Sequence, residues 1–254
     1  MDFSNGIRLY LQRKYHVRRH NCMNLIQNVD RKEITKLMLS YKFALEEINT
    51  RISILLEDFR LLHEYSPIEH VSTRIKSPTS IMKKMKHKQL SWSMKEIEEN
   101  IRDIAGARII CSFEEDIYRV ANMLCSQRDI KVIDIKDYIK NPKENGYRSL
   151  HLIVKIPVFL TDSVREVYVE VQIRTIAMDF WASLEHKIFY KYNKSVPLHI
   201  RQGLKEAADQ TAALDNKMAA LNKETNILKE KNRDSNTDDI GRYIQQFITF
   251  NLQQ

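Results

Sequence analysis

The sequence predicts an α+β protein, with a mixed β-sheet of about five strands flanked by helices and a helical extension at each end of the chain. Three observations support this prediction. Between residues 107 and 192, segments with a hydrophobic period of two alternate with helical segments. Residues 31–64 carry apolar side chains at the spacing of an amphipathic helix. Residues 204–228 carry a heptad-like seam of apolar and small side chains.

The N-terminal third is predicted to be mainly helical. Residues 1–30 are basic and weakly periodic, and we assign them to an extension with room for one helix. The helix over 31–64 ends before Ser66-Pro67, because a residue preceding proline avoids the helical conformation. A short extended segment over 74–76 then leads to Ser77-Pro78, a typical helix start.

The central region is predicted to hold most of the sheet. After the helices at about 78–87 and 93–103, the pattern predicts in chain order a strand over 107–113, a helix over 114–127, a strand over 130–135, a loop over 141–146, strands over 149–156 and 166–173 with a turn at 161–163, and a helix over 175–192. On the first of these strands we expect one buried face, formed by Ala107, Ile109, Cys111 and Phe113. On the last helix we expect a core stripe of Phe180, Trp181, Leu184, Ile188 and Phe189.

The C-terminal region continues the helical pattern. The seam over 204–228 predicts a helix that packs on its own domain or on a neighbouring subunit. Residues 232–239 are typical of a linker, and residues 240–248 predict a short docking helix. We therefore divide the chain into an N-terminal extension (1–65), a central domain (66–195) and a C-terminal extension with a tail (196–254).

Composition restricts the class of protein. The 254 residues are 43% hydrophobic and 29% charged, which is typical of a soluble globular protein. No apolar run reaches the length of about 20 residues that spans a membrane, and no apolar segment follows the N-terminus. The three cysteines form no CxxC pair, which fits a reducing compartment. We therefore expect a cytoplasmic protein without a membrane partner.

A net charge of +8 favours polyanionic ligands, and the excess of positive charge is concentrated. Six Lys or Arg and no acidic residue lie between Arg74 and Lys88. From charge alone, this stretch is either a solvated helix face or a phosphate-binding helix. The sequence holds no P-loop and no GxGxxG turn, so a nucleotide would have to bind in another way.

Two acidic residues are the main candidates for chemistry. Glu170 shares one face of its strand with Tyr168, Gln172 and Arg174, while valines and an isoleucine occupy the other face. A carboxylate there needs a partner, so Glu170 is ion-paired with a neighbouring arginine, is a Mg²⁺ ligand or is a general base. Asp103 lies between a helix and the strand that contains Arg108. It is either a solvated acid or a second Mg²⁺ ligand.

The remaining candidates suit phosphates and a nucleotide base. Arginine forks match phosphate oxygens, and lysine supplies a mobile charge. The cations concerned are Arg74, Lys76, Lys84, Arg108, Lys143 and Arg148. Tyr147 is either a hydrophobic lid or a ring that stacks on a base. Asp179 is either a carboxylate at a favourable helix start or a partner for the guanine edge.

Four segments together resemble the synthetase motifs of the RelA/SpoT family. They are Arg74-Ile75-Lys76-Ser77-Pro78, Asp103-Ile104-Ala105-Gly106-Ala107-Arg108, Gly146-Tyr147-Arg148-Ser149-Leu150-His151 and Glu170-Val171-Gln172-Ile173-Arg174-Thr175. The short chain is similar to the small alarmone synthetases, and most of all to their RelP branch. The resemblance extends from about residue 67 to residue 191 and implies a nucleotidyltransferase-like synthetase fold for the central domain. The chain has no HD dipeptide, so we expect no hydrolase activity.

The resemblance implies a Mg²⁺-dependent enzyme of stress signalling. It would transfer the β,γ-pyrophosphate of ATP to the 3′-hydroxyl of GDP or GTP, giving ppGpp or pppGpp. It implies that ATP binds Arg74, Lys76, Ser80, Lys84 and Arg108. It implies that the guanine nucleotide binds Lys143, Tyr147, Arg148, His151, Gln172 and Asp179. Asp103 and Glu170 would be the catalytic residues and the Mg²⁺ ligands. Glu170 is also the candidate base, and it cannot fill both roles at one instant.

The family also implies a homotetramer, built by the flanking helices over 31–64 and 198–230. One departure is Asp179, where some relatives have asparagine. The aspartate keeps the preference for guanine but adds a negative charge near phosphates. The competing hypothesis is a basic module that binds a nucleotide or RNA without catalysis. Against it, Asp103 and Glu170 would repel phosphates in the absence of a metal, so we expect no nucleic-acid partner.

Overall fold

The computed structural model describes residues 31–63, 65–191 and 196–233. Its elements are helix α1 (Arg31–Leu62), strand β1 (Ile68–Ile75), helices α2 (Pro78–His87) and α3 (Met94–Asn100), strand β2 (Ala105–Cys111), helix α4 (Glu114–Cys125), strands β3 (Lys131–Asp137), β4 (Leu150–Phe159) and β5 (Val164–Thr175), and helices α5 (Ile176–Lys191) and α6 (Leu198–Arg233). The predictions for residues 1–30 and 240–248 lie outside the described residues. The predicted linker begins inside α6, and its residues 234–239 also lie outside.

The five strands form one mixed sheet in the order β1-β2-β5-β4-β3. Strands β2 and β5 are parallel neighbours at its centre. The other three pairings are antiparallel. The predicted class, a mixed sheet of about five strands with flanking helices, is confirmed.

The two faces of the sheet differ in chemistry. On one face, Ala105, Ala107, Ile109 and Cys111 of β2 lie beside Val169, Val171, Ile173 and Thr175 of β5. All eight are buried, and the aliphatic side chains among them belong to the main hydrophobic core. Helix α1 packs across this face and contributes Leu37, Tyr41, Ala44, Ile48 and Ile52 to the core. The core thus holds the central strands rigidly, and the opposite face is left for polar side chains.

Several strand boundaries differ from the prediction by a few residues, and two of the differences have a clear cause. Strand β1 begins at Ile68, whereas the sequence indicated only a short extended segment over 74–76. It is an edge strand with most side chains in solvent, so its sequence lacks the usual apolar alternation. The prediction that Phe113 continues a strand is wrong. Phe113 is the residue before α4, and its backbone N–H donates to Asp116 Oδ2 at 3.2 Å.

The predicted core stripe of α5 is largely wrong. Trp181 is buried, but 62% of Phe180 is exposed, and Leu184 and Ile188 are also exposed. Helix α5 packs on α6 along one narrow face, where the Trp181 indole N–H donates to the Leu204 carbonyl at 2.9 Å. Apolar spacing cannot tell which face of a helix its neighbour covers. The side chain of Phe189 lies outside what the structure describes.

Helix α6 is longer than its predicted seam and is mostly exposed. Leu214, Met218, Leu221 and Leu228 of the seam each have about half of their surface in solvent. Ala208 is buried against α5. No described helix is both long enough and apolar enough to cross a membrane.

Candidate active site

The polar face of the central strands places the predicted residues in neighbouring rows. One row across the sheet contains Arg74, Gly106 and Glu170. The next contains Arg108, Gln172 and His151. Because side chains in register on adjacent strands point to the same face, these groups share one surface. Residues from four widely separated segments are thereby brought together.

Gly106 leaves room for the side chain of Arg74. A Cβ added at Gly106 would lie 3.4 Å from Arg74 Nε and 3.5 Å from its Cγ. These are ordinary van der Waals distances, so alanine would fit here, and only a bulkier side chain would compete with the guanidinium for space on the sheet surface.

Asp103 is held by two lysines at the edge of this surface. Its Oδ2 lies 3.0 Å from Lys76 Nζ and 2.8 Å from Lys84 Nζ. Burial disfavours the charged form, but the two ammonium groups hold the pKa of Asp103 below its ordinary value. Its Oδ1 is buried and has no hydrogen-bond partner among the described residues. Asp103 is therefore an ionised carboxylate with one oxygen available to a ligand.

Glu170 is largely buried on the same face. His151 Nδ1 lies 3.3 Å from its Oε1, and the Gln172 side-chain amide donates to its Oε2 at 3.0 Å. Burial again works against ionisation, but these contacts hold the pKa of Glu170 below its ordinary value. The nearby charge of Asp103 opposes them. The predicted alternative of an ion pair with arginine is not what the structure shows, because in the described part of the chain the side-chain partners of Glu170 are His151 and Gln172.

An aromatic cluster lies beside Glu170. The Tyr147 hydroxyl is 2.8 Å from His151 Nε2, and the His151 ring packs edge-on against Tyr138 with centroids 5.2 Å apart. Lys143 Nζ lies 4.7 Å from the centroids of both tyrosine rings. A cation beside two rings can attract phosphate while the rings contact a base.

Tyr147 is presented by a tight turn that rests on α6. Gly146 has φ of 87°, a conformation that favours glycine, and its N–H donates to the Lys143 carbonyl at 2.8 Å. A Cβ added to Gly146 would come within 2.5 Å of Ala208 Cβ on α6. The C-terminal helix therefore touches the loop that carries the predicted base-stacking ring.

Arg108 and Arg174 share one carboxylate. The Nη1 atom of each lies 3.2 Å from Asp179 Oδ1. Burial and the charge of Arg174 lower the pKa of Arg108, and Asp179 partly opposes them. Asp179 thus connects a predicted ATP ligand with the predicted acceptor residues.

Two predicted ligands, Ser80 and Arg148, lie outside the groups of residues described above. Ser80 is on the first turn of α2, where its hydroxyl lies 2.9 Å from the hydroxyl of the N-cap residue Ser77. Arg148 does not join the polar face. Its Nη1 donates to the Ile139 carbonyl at 3.2 Å, and its side chain lines a cleft with Glu114 of α4 and Asp215 of α6. The structure therefore does not bring Arg148 together with Tyr147 and His151.

The sequence patterns assigned no role to three residues of the site. Arg174, Gly106 and Tyr138 all contact predicted ligands. The period of two along β5 could have found Arg174, because it places Arg174 with Glu170 and Gln172. Gly106 and Tyr138 could not be found this way, since their importance depends on the neighbouring strand and loop.

Comparison with known proteins identifies the family. The family described as "Region found in RelA / SpoT proteins" matches residues 73–195. The chain is 52% identical over 187 residues to GTP pyrophosphokinase YwaC of Bacillus subtilis (strain 168), covering 74% of this chain and 89% of that relative. It is 39% identical over 197 residues to GTP pyrophosphokinase YjbM of the same organism, covering 76% and 90%.

Solved structures agree in fold. The small alarmone synthetase 2 of Bacillus subtilis matches with a TM-score of 0.70 and 49% identity, over 76% of this chain and 99% of that one. The small alarmone synthetase 1 of the same organism, bound to its product pppGpp, matches with a TM-score of 0.71 and 37% identity, over 76% and 98%. The polar sheet face described above thus lies in a chain that belongs to the RelA/SpoT family.

Proposed function

We propose that this protein is a (p)ppGpp synthetase, an enzyme that transfers the β,γ-pyrophosphate of ATP to the 3′-hydroxyl of GDP or GTP. One observation carries the proposal. Ionised Glu170 shares one polar sheet face with predicted ligands of both nucleotides: Arg74 lies in its own row, and Arg108, Gln172 and His151 lie in the next. Its relatives named as GTP pyrophosphokinases give the reaction class.

The donor nucleotide is assigned to the side of the site formed by β1, β2 and α2. Arg74 and Arg108 project from adjacent strands, and Lys76 and Lys84 already hold the Asp103 carboxylate. Four cations suit the charge of a triphosphate, and arginine binds phosphate oxygens through two N–H groups at once. Ser80 completes this set at the start of α2.

The guanine nucleotide is assigned to the side formed by β4, β5 and the loop before β4. Tyr147 would stack on the base, and Lys143 and His151 would meet its phosphates. Asp179 and Gln172 would orient the acceptor through its polar edges. We do not assign phosphate binding to Arg148, because its guanidinium is directed into the cleft with Glu114 and Asp215.

Mg²⁺ is the cofactor that the residues suit best. Mg²⁺ commonly uses one or two carboxylates together with substrate phosphates, and the buried free Oδ1 of Asp103 fits that requirement. Asp103 and Glu170 are the two residues that would hold the ion, with Glu170 doing so only while it is not acting as the base. When bound, it would neutralise charge on the transferred phosphates.

The proposed reaction needs one proton acceptor and strong positioning. The 3′-hydroxyl oxygen bonds to the β-phosphorus of ATP, the bond from that phosphorus to the oxygen bridging to the α-phosphate breaks, and AMP leaves with that oxygen. Glu170 accepts the hydroxyl proton, which its lowered pKa allows because it stays ionised at neutral pH. The surrounding cations offset the charge of the phosphates during transfer.

The alternative is a basic module that binds nucleotides without catalysis. Such a module gains nothing from two ionised carboxylates on a surface meant for phosphates. Their placement beside the cations therefore favours the synthetase.

A single assay separates the two functions. Purified protein is incubated with Mg²⁺, ATP and either GDP or GTP, and the nucleotides are resolved by anion-exchange chromatography. We expect ppGpp or pppGpp with an equal amount of AMP. Glu170→Gln should abolish synthesis but retain binding of ATP, measured by calorimetry. Exposed Glu166→Gln on the same strand is the control and should remain active. Folded wild-type protein that binds nucleotides but forms neither AMP nor alarmone would support the binding module.

We also infer that the protein forms a homotetramer. The exposed apolar side chains of α5 and α6 support this assembly, because Phe180, Leu214, Met218 and Leu221 lie uncovered along two neighbouring helices. A second copy of the chain is the occupant that the family implies. Light scattering coupled to size-exclusion chromatography measures the mass, and a monomer at micromolar concentration would contradict the inference.

A further inference from the structure

Arg174 is the centre of a buried polar network. Only 4% of the residue is exposed, although its guanidinium is charged. Nε donates to Ser149 Oγ at 3.3 Å and Nη1 to Asp179 Oδ1 at 3.2 Å. Nη2 donates to the Tyr147 hydroxyl at 2.5 Å and to Gln172 Oε1 at 2.8 Å. Each of its three nitrogens is therefore directed at a protein group.

The partners of Arg174 share a predicted role. Tyr147, Gln172 and Asp179 are three of the residues assigned to the acceptor nucleotide, and they come from a loop, from β5 and from α5. The guanidinium also lies beside the Tyr147 ring, with Cζ 5.1 Å from its centroid. Because the guanidinium is planar and rigid, it fixes the angles between its partners as well as their distances. One buried side chain thus links the three elements that form the acceptor side.

The burial of Arg174 makes this arrangement hard to change. A buried charge is tolerated only when it is paired and hydrogen-bonded, and Asp179 is its ion-pair partner in the described part of the chain. Movement of Tyr147 or Asp179 away from the site would leave N–H groups of the guanidinium without acceptors. The network therefore favours a single position for each partner.

We propose that Arg174 is a positioning residue for the acceptor nucleotide, acting through Tyr147, Gln172 and Asp179 without touching the nucleotide itself. The proposal rests on the proposed function, which assigns those three residues to the acceptor. It predicts an effect mainly on one substrate. The ATP ligands Lys76 and Lys84 pair with Asp103, outside this network. Arg108 shares the Asp179 carboxylate with Arg174, so the test variant has to keep a positive charge at position 174.

Arg174→Lys is the sharpest test, because lysine keeps the charge and loses the planar fork. In the full-length protein, KM for GDP and for ATP is measured separately, and GDP binding is measured by calorimetry. We expect KM and Kd for GDP to rise by about tenfold, since one lost charge-assisted hydrogen bond changes a binding constant by that order. KM for ATP should stay within about twofold. Arg165→Lys on the same strand, whose partially exposed side chain pairs with Glu98 at 3.4 Å, is the matched control and should change neither value.

A second variant covers the case in which Arg174→Lys does not fold. Tyr147→Phe keeps the ring and removes the hydroxyl, which contacts both Arg174 and His151, so it should also raise KM for GDP and leave KM for ATP unchanged. If both variants fold, the double variant should be less impaired than the sum of the two, because both act on one contact.

The outcomes separate this proposal from the proposed function. Wild-type synthesis, together with an Arg174→Lys variant that leaves KM for GDP unchanged or raises both KM values equally, overturns the positioning role alone. Wild-type protein that neither binds GDP nor makes alarmone overturns both proposals. Wild-type protein that binds GDP without synthesis, and loses that binding in Arg174→Lys, contradicts the enzyme and retains the positioning role.

Discussion

The Arg108 guanidinium lies 3.2 Å from the Asp179 carboxylate, so a predicted ATP ligand is paired with a predicted guanine ligand. Each side chain has about one-third or less of its surface exposed. ATP that recruits Arg108 must compete with Asp179 for it. The two halves of the site are therefore in contact before any nucleotide binds.

Asp179→Asn should strengthen ATP binding in the absence of acceptor. The substitution removes the carboxylate charge that competes with ATP for Arg108. The loss of a partly exposed ion pair of this kind should change the affinity for ATP by about two- to fivefold. Calorimetry with a non-hydrolysable ATP analogue measures the change. Glu98→Gln, which breaks the comparable pair with Arg165, is the control and should have no effect. Weaker ATP binding in Asp179→Asn would show that the carboxylate holds Arg108 in its binding position.

Gly146→Ala should damage both stability and synthesis. The new Cβ would lie 2.5 Å from Ala208 Cβ, and the backbone has positive φ. We expect the free energy of unfolding to fall by about 1–3 kcal/mol in chemical denaturation. KM for GDP should rise because the Tyr147 loop moves.

The chain offers a matched control for this substitution. Gly203 on α6 has open space around its added Cβ, so Gly203→Ala should raise stability by about 0.5–1 kcal/mol. Adding Ala208→Gly to Gly146→Ala removes the opposing methyl group. The double variant should therefore have a KM for GDP closer to that of the wild type. If it recovers nothing, the strain lies in the turn and not in the contact with α6.

Asp103→Asn should raise the Mg²⁺ concentration needed for half-maximal synthesis. The amide is a poorer ligand for a hard cation, and it also leaves Lys76 and Lys84 without their shared carboxylate. A Mg²⁺ titration at saturating nucleotides measures the shift, with Asp209→Asn on exposed α6 as the control. An unchanged midpoint would remove Asp103 from the proposed metal site.

Asp215→Asn should stabilise the fold at neutral pH, and this gain should disappear in acid. Burial raises the pKa of Asp215, although the hydrogen bond from Thr175 Oγ1 at 2.6 Å opposes it. A carboxyl group whose pKa is raised on folding favours the folded state when protonated, and that contribution is lost as pH rises through the folded pKa. Asparagine resembles the protonated form, so its advantage grows as pH rises from the unfolded-state pKa to the folded pKa and is constant above it. Thermal unfolding between about pH 4 and pH 8 measures the difference. A constant difference at every pH would contradict the assignment.

Much of the fold could be predicted from the local pattern of apolar and polar residues. The period of two on β2 and β5 correctly predicted which side of each strand is buried, because apolar alternation on a central strand directly reflects burial. The family and the enzyme class, expected from the four motifs, are confirmed by the comparisons, and the mixed sheet, expected from the alternating strand and helix patterns, is confirmed by the strand order. Edge strand β1 was shortened in the prediction since its residues are mostly solvated.

The features that could not be predicted depend on contacts between segments that are distant in the sequence. Nothing in the residues near Arg148 indicates that Glu114 and Asp215 will lie beside it. Nothing near Phe180 shows that α6 covers Trp181 instead. Asp179 was expected to contact guanine, and its partner Arg108 follows only from the pairing of β2 with β5, whereas Arg174 is close to it in sequence. The roles of the site residues therefore stay predictions, although the structure gives the positions of these residues.

The parallel pairing of β2 with β5 has a consequence for folding. The two strands at the centre of the sheet are separated in sequence by α4, β3 and β4, so their contact closes a long loop. Such pairings form late and slow the folding of a domain. Arg108 and Gln172 become neighbours only at that step. A chain still emerging from the ribosome would therefore have no assembled site until β5 has docked beside β2.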